Sequence, residues 1–264
     1  MPRMSIITRR SFFAVVPATL AAARAVPAAA ADTGALPASF PSQDPELVKE
    51  MVTVAHFNVA RVKELVGRHQ TLAKAAWDWG FGDWESALGA ASHVGNREIA
   101  EFLIANGARP SIFSAAMLGQ LDAVKAFVTA SPGVQKNKGP HSITLLRHAM
   151  AGGAAAKPVL EYLTALGGAD ERIVEPPLTE AQRSRLLGSY TSPALGADRI
   201  EVTLQKDALM VGRTGRVPRG LTHVGNLEFC PAGAEQVRIA FTDTAGGVTV
   251  TIRDPGVVLT ATKA

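Results

Sequence analysis

A single cysteine, Cys230, in 264 residues excludes an intrachain disulfide framework. Phe229-Cys230 reads as part of a strand, which makes the thiol a buried, inert side chain rather than a nucleophile. Long apolar runs are also missing: the stretch 12–23 is too short, and too interrupted by Pro17, to span about 30 Å of hydrocarbon. No stable membrane anchor is expected. Excess basic charge is confined to one end. The chain has 27 Lys+Arg against 23 Asp+Glu, and residues 1–31 hold Arg3, Arg9, Arg10 and Arg24 with no acid. Beyond residue 31 the balance is therefore 27 − 4 = 23 against 23, with no basic run longer than two. Nucleic-acid binding leans on clustered positive charge, so no nucleic-acid partner is expected. Catalytic signatures are absent as well. There is no Gly-x-Ser-x-Gly, no Ser-x-x-Lys, no His-Glu-x-x-His, no phosphate loop and no dinucleotide fingerprint. The six histidines (56, 69, 93, 141, 148 and 223) fall in separate elements with no metal-ligand spacing. Neither a catalytic residue, nor a cofactor, nor a metal ligand is expected.

What is present begins with an address. Thr8-Arg9-Arg10-Ser11-Phe12-Phe13 resembles the bacterial twin-arginine export motif, with Arg9, Arg10 and Phe12 as its readable positions. Phe13 and Ala14 stand where that motif has Leu and Lys. The small residues at 28–31 suit signal peptidase, with cleavage after Ala30 or Ala31. The implied location is periplasmic or secreted.

Residues 83–112 carry the strongest internal pattern. Ser86-Ala87-Leu88-Gly89-Ala90-Ala91 opens a thin first helix, Gly95-Asn96 turns into a second, and Asn106-Gly107-Ala108 closes it. Leu88, Ala91, Ile99, Phe102 and Leu103 recur at helical spacing, and Gly95 and Gly107 supply positive φ at the turns. Helices of two or three turns are unstable alone in water, so neighbours are expected. Ala115-Ala116-Met117-Leu118-Gly119 repeats the spacing with Val124, Phe127 and Val128 behind it. Thr144-Leu145-Leu146-Arg147-His148-Ala149 repeats it again, with an interruption at 152–158. Upstream, Asn58, Val62, Leu65 and Val66 match Asn96, Ala100, Leu103 and Ile104. These segments resemble ankyrin repeats, whose Thr-Pro-Leu-His-x-Ala and Asn-Gly-Ala endings they approach. The resemblance implies a stacked solenoid that binds another protein.

After Asp170 the pattern changes. Glu175-Pro176-Pro177 is a stiff linker, and Thr179 caps a short helix. Leu187-Gly188-Ser189-Tyr190 opens a β region with alternating runs at 200–204, 209–211, 226–229, 237–241 and 248–252. The Leu-x-Gly-x-Tyr opening and the hairpin near Phe241 resemble the small C-terminal β domains appended to serine β-lactamase-like hydrolases. That likeness carries an architecture and no activity, since the catalytic residues of that family lie in the other domain. The expected class is α+β multidomain: an α-helical ankyrin solenoid followed by a small antiparallel β meander or barrel. Its divisions are 1–31 signal peptide, 32–44 linker, 45–170 ankyrin region (a cap and about three repeats), 171–185 linker and short helix, and 186–264 β domain.

One local cluster points to binding. All three tryptophans, Trp77, Trp79 and Trp84, sit in a nine-residue, glycine-broken segment with Asp78, Asp83 and Glu85. On a projecting loop, aromatics beside acids look like an interface hot spot; packed inward, they anchor the end of the helical region. The acids read as solvated turn residues. With Met117 and Arg147 they form the expected partner surface. The function expected from sequence is an exported protein-binding scaffold without catalysis. Two alternatives stand beside it: a carrier of a small apolar ligand in the β domain, or an accessory subunit of a co-exported enzyme.

Overall fold

A computed structural model of the chain describes Leu36 and residues 38–264; the export motif at Arg9, Arg10 and Phe12 lies outside these. Residues 39–264 form one compact unit. It begins with α1 (Pro45–Val54) and α2 (Val59–Arg68), then a short hairpin of β1 (Ala76–Asp78) and β2 (Trp84–Ser86). Six helices follow: α3 (Ala87–His93), α4 (Arg97–Ala105), α5 (Ile112–Met117), α6 (Leu121–Ala130), α7 (Leu145–Ala151) and α8 (Lys157–Leu166). Polar side chains start most of them. Asp44, Asn58, Ser86, Asn96, Ser111 and Thr144 each accept a hydrogen bond from a first-turn backbone N–H. Alanines keep the buried faces thin, with Ala87, Ala90, Ala91, Ala115 and Ala116 all inside. At Gly95 the backbone takes φ +77, and a Cβ there would overlap the Ala151 carbonyl, so only glycine lets α3 and α7 approach this closely.

The ankyrin solenoid expected over 45–170 does not form. Among the described residues there are about nine helices that do not compose a clearly repeat-based array, and the whole is α+β with a closed barrel. The connections explain the difference, because each helix pair is joined to the next in its own way. A 3-10 turn (Gln70–Lys74) and the β1–β2 hairpin precede α3, whereas plain coil precedes α5. Two 3-10 turns (Val134–Lys136 and Pro140–Ser142) precede α7, and another (Gly153–Ala156) separates α7 from α8. Helix spacing repeats in the sequence, but the geometry between pairs does not. No helix of the described residues is long and apolar enough to cross a membrane.

After α9 (Glu180–Leu186), capped by Thr179 in a reciprocal box with Gln182, the chain builds an eight-stranded antiparallel barrel. Its strands are β3 (Gly188–Thr191), β4 (Ile200–Gln205), β5 (Ala208–Arg213), β6 (Arg219–Gly225), β7 (Glu228–Pro231), β8 (Arg238–Thr244), β9 (Gly247–Asp254) and β10 (Val257–Lys263). Each pairs with the next, and β10 returns to β3 through Thr262 opposite Thr191 and Lys263 opposite Tyr190. Strands β6 and β10 carry no alternating run legible in the sequence. β6 holds Gly220 and Gly225 and breaks register between His223 and Gly225. Alternate residues point inward, and Val202, Val211, Phe229, Ile239, Phe241 and Val250 fill the interior.

Tyr190 is fully buried in that interior, edge-on to Phe241 at 5.9 Å, and its hydroxyl donates to the Leu186 carbonyl at 2.6 Å. Burial pushes the phenol up to about 12, so the bond persists across the working pH range. Tyr190→Phe leaves a buried carbonyl unsatisfied and is expected to cost about 1–3 kcal/mol, with each kcal/mol lowering the melting temperature by about 2–4 °C. Thermal unfolding followed by circular dichroism checks it; an unchanged Tm refutes this account of the tyrosine.

Candidate metal centre

Four side chains from separate elements of the helical half converge on one point. His56 lies just past α1, Glu85 is the middle residue of β2, His93 ends α3, and His141 sits in the 3-10 turn before α7. One ligand atom from each lies within 4.8 Å of the others. His93 Nε2 stands 3.1 Å from His56 Nε2 and 2.9 Å from Glu85 Oε1. Glu85 Oε2 is 3.5 Å from His56 Nε2 and 3.4 Å from His141 Nε2. Donor atoms about 2.0–2.1 Å from a tetrahedral zinc stand about 3.3 Å apart. These contacts, measured to one or the other Glu85 oxygen, run from 2.9 to 3.5 Å, on either side of that value.

The far nitrogens of two of the three imidazoles are already committed. His56 Nδ1 is 3.1 and 3.0 Å from the carbonyl oxygens of Val52 and Thr53, so it donates there and turns Nε2 toward the cluster. His141 Nδ1 is 2.6 Å from Asp83 Oδ2, and the His141 backbone N–H donates to Asp83 Oδ1 at 2.9 Å. A carboxylate behind an imidazole fixes its tautomer and aims the other nitrogen, the arrangement common behind metal-bound histidine. His141 and Ser142 both occupy positive φ, 61° and 59°, an uncommon conformation for non-glycine residues that these bonds hold in place.

The centre is largely dry. Glu85 is 0% exposed and the His56 and His141 side chains 24%. Burial alone would push the Glu85 carboxyl up, but hydrogen bonds from His141 and His93 outweigh it and hold the group at about 2. Burial likewise disfavours charge on His141, yet Asp83 and Glu85 raise it to about 9. Asp83 is held below its usual value against its own burial, chiefly by the His141 side-chain and backbone hydrogen bonds. His148 lies behind the cluster, its ring centroid 6.5 Å from that of His93. Burial pushes it down to about 4 despite a bond to the Thr144 carbonyl, so it is a neutral wall.

The barrel completes the site. Arg219, from the start of β6, pairs with Asp83 and donates to the Ala232 carbonyl at 2.7 Å. Gly233, in the turn after β7, has φ +83, and any Cβ there would overlap the Asp83 carboxylate. Its N–H donates to Ser142 Oγ at 2.9 Å, beside His141.

The tryptophan segment divides. Trp79 is half-buried and donates from Nε1 to Glu85 Oε2 at 2.8 Å. Trp77, also half-buried, packs against the core of the helical half. Trp84 is 64% exposed. The solvated-turn reading of Asp83 and Glu85 is corrected, since both are buried and bonded. Asp78 is half-buried, its Oδ1 accepting from the Gly80 N–H. Met117 is 0% exposed inside the core and cannot meet a partner, whereas Arg147 is exposed on α7. Of the expected surface, Trp84 and Arg147 are exposed, Trp77, Asp78 and Trp79 half-buried, and Asp83 and Met117 buried.

Sequence spacing did not bring this cluster together. His56 and His93 are 37 residues apart, and Asp83 and His141 58. One signal was available: His56 and His93 each stand just ahead of a capping asparagine, Asn58 and Asn96, so both mark the exit of a first helix. No family model, curated protein or solved structure matches the chain.

The charges give a pH dependence for the metal-free protein. His141 is raised from 6.5 to about 9, so its contribution is fully present below 6.5 and lost as pH rises through 9. Melting temperature in chelator is expected to fall between pH 6.5 and 8.5, and the fall to shrink in His141→Gln. Equal slopes in the two proteins would show that His141 is not held charged by its carboxylates.

Proposed function

We propose that the chain binds a divalent transition-metal ion, zinc(II), through Nε2 of His56, His93 and His141 and the carboxylate of Glu85. The observation that carries this reading is that four donors gather within 4.8 Å of one another, with contacts of 2.9 to 3.5 Å among them, and that bonds on the far sides of His56 and His141 aim two of the imidazoles. Imidazole and carboxylate donors suit zinc, and the absence of thiolate or thioether disfavours copper(I). Four protein donors fill a tetrahedron and leave no corner for an activated water, so the ion holds structure and does not activate water at this site. Asp83 binds both His141 and Arg219, and the ion then secures the helical half against the barrel. Export by the twin-arginine route, proposed from Arg9 and Arg10, agrees with this because that route carries folded proteins with a cofactor already bound. A protein partner, reached through Trp84 and Arg147, is a second reading that the exposure of both side chains favours.

Metal-stripped full-length protein titrated with zinc is expected to take up one equivalent, by elemental analysis and native mass spectrometry, with a rise in melting temperature. His93→Ala should abolish that uptake. Asp83→Asn should weaken it about 10–100-fold while leaving the stoichiometry at one. Uptake unaffected by His93→Ala, or no uptake, would leave a buried charge network and no metal centre. For export, replacing Arg9 and Arg10 by Lys should leave an uncleaved precursor in the cytoplasm; normal processing of that variant refutes the route.

A further inference from the structure

The barrel interior is filled, but its mouth is not. Ile200, Val211 and Ile252 end the apolar column at the side facing the helical half, and above them lies a cavity of about 440 Å³. That is within the usual range for small-molecule sites, which favour the mouths of barrels. The barrel brings few aromatics to it. Trp77, Trp79 and Phe81 come from the β1–β2 hairpin of the helical half and roof the space.

The polar part of the wall has one sign. Lys49, Arg213, Arg216 and Arg219 face a single acid, Asp78. Arg213 is paired with Asp198 at 2.6 Å, and Arg219 with Asp83. Asp78 is occupied by the Gly80 N–H. Lys49 makes a 3.7 Å contact with exposed Glu46 and stands 5.9 Å over the Trp77 ring, and Arg216 has no ion-pair partner among the described residues. A second observation is independent of charge count. Arg219, more than nine-tenths buried, contributes to the cavity wall, and its Nε–H, itself enclosed, has no hydrogen-bond partner. A buried donor left unsatisfied is costly, and the guanidinium behind the wall keeps its positive charge toward the cavity.

We infer that this cavity binds a small organic anion, a carboxylate carried on an apolar body. The carboxylate meets Arg216 and Arg219, and the body lies between Ile200, Val211 and Ile252 below and the indole and phenyl rings above. The site is separate from the proposed metal centre but adjoins it, since Trp79 lines the cavity and hydrogen-bonds Glu85.

Tryptophan emission reads the site directly, because Trp77 and Trp79 line it. Full-length protein is titrated with decanoate, decan-1-ol and decylammonium, each in zinc-loaded and in chelated protein, so that failure of this site and failure of the metal centre are told apart. Decanoate should give a saturable change, with decan-1-ol and decylammonium at least tenfold weaker. Arg216→Ala, on an exposed turn, should weaken decanoate at least tenfold with an unchanged melting temperature. Arg216→Lys should recover part of the loss. No saturable signal overturns the inference, as does decan-1-ol or decylammonium binding as tightly as decanoate. A response to decanoate that Arg216→Ala leaves intact overturns it too.

Discussion

The Asp83 carboxylate is the joint on which both halves of the molecule turn. It is buried, and each oxygen is spoken for: Oδ1 takes the His141 backbone N–H, and Oδ2 takes His141 Nδ1 and the Arg219 guanidinium. Arg219 arrives from a strand 136 residues away. Removing one member of such a group strands a charge in a dry interior, which costs far more than the assembled group contributes. Register between helices and barrel is thereby fixed at one point. Gly233 guards it, because no other residue leaves room for the carboxylate.

The same joint determines what the helical half can offer chemically. His141 would otherwise sit on a 3-10 turn with unfavourable backbone angles and a freely rotating ring. Held by Asp83, it presents Nε2 toward Glu85, His56 and His93. Glu85 is in turn fixed by the Trp79 indole. The tryptophan segment thus works inward through Trp79 and outward through Trp84. A single composition cue, aromatics beside acids, covers two opposite uses.

Local physics was legible in the sequence and long-range assembly was not. Gly95 and Gly107 adopt the positive φ expected of them, and Thr179 caps its helix. Strands β3, β4, β5, β7, β8 and β9 overlap the stretches where the sequence placed β structure, and β6 and β10 do not. The solenoid expectation failed because helix periodicity says nothing about the connections, and here every connection differs. Barrel closure was left open between meander and barrel because β10 pairs with β3 across more than seventy residues, beyond any local pattern. The histidine–carboxylate cluster eluded spacing rules for the same reason: its side chains come from four elements, each alone an ordinary helix end, turn or strand. What does carry over is the exit position of His56 and His93 ahead of capping asparagines, a regularity of helix pairs rather than of any metal motif.

Closure of the barrel has one further consequence. With β10 hydrogen-bonded to both β9 and β3, none of its eight strands keeps a free edge. A peptide cannot extend that sheet by adding a strand, and two copies of the barrel cannot fuse edge to edge. Among the described residues, open edges remain only on the three-residue strands of the β1–β2 hairpin. Addition of a whole strand is thus left to that finger, which carries Trp84.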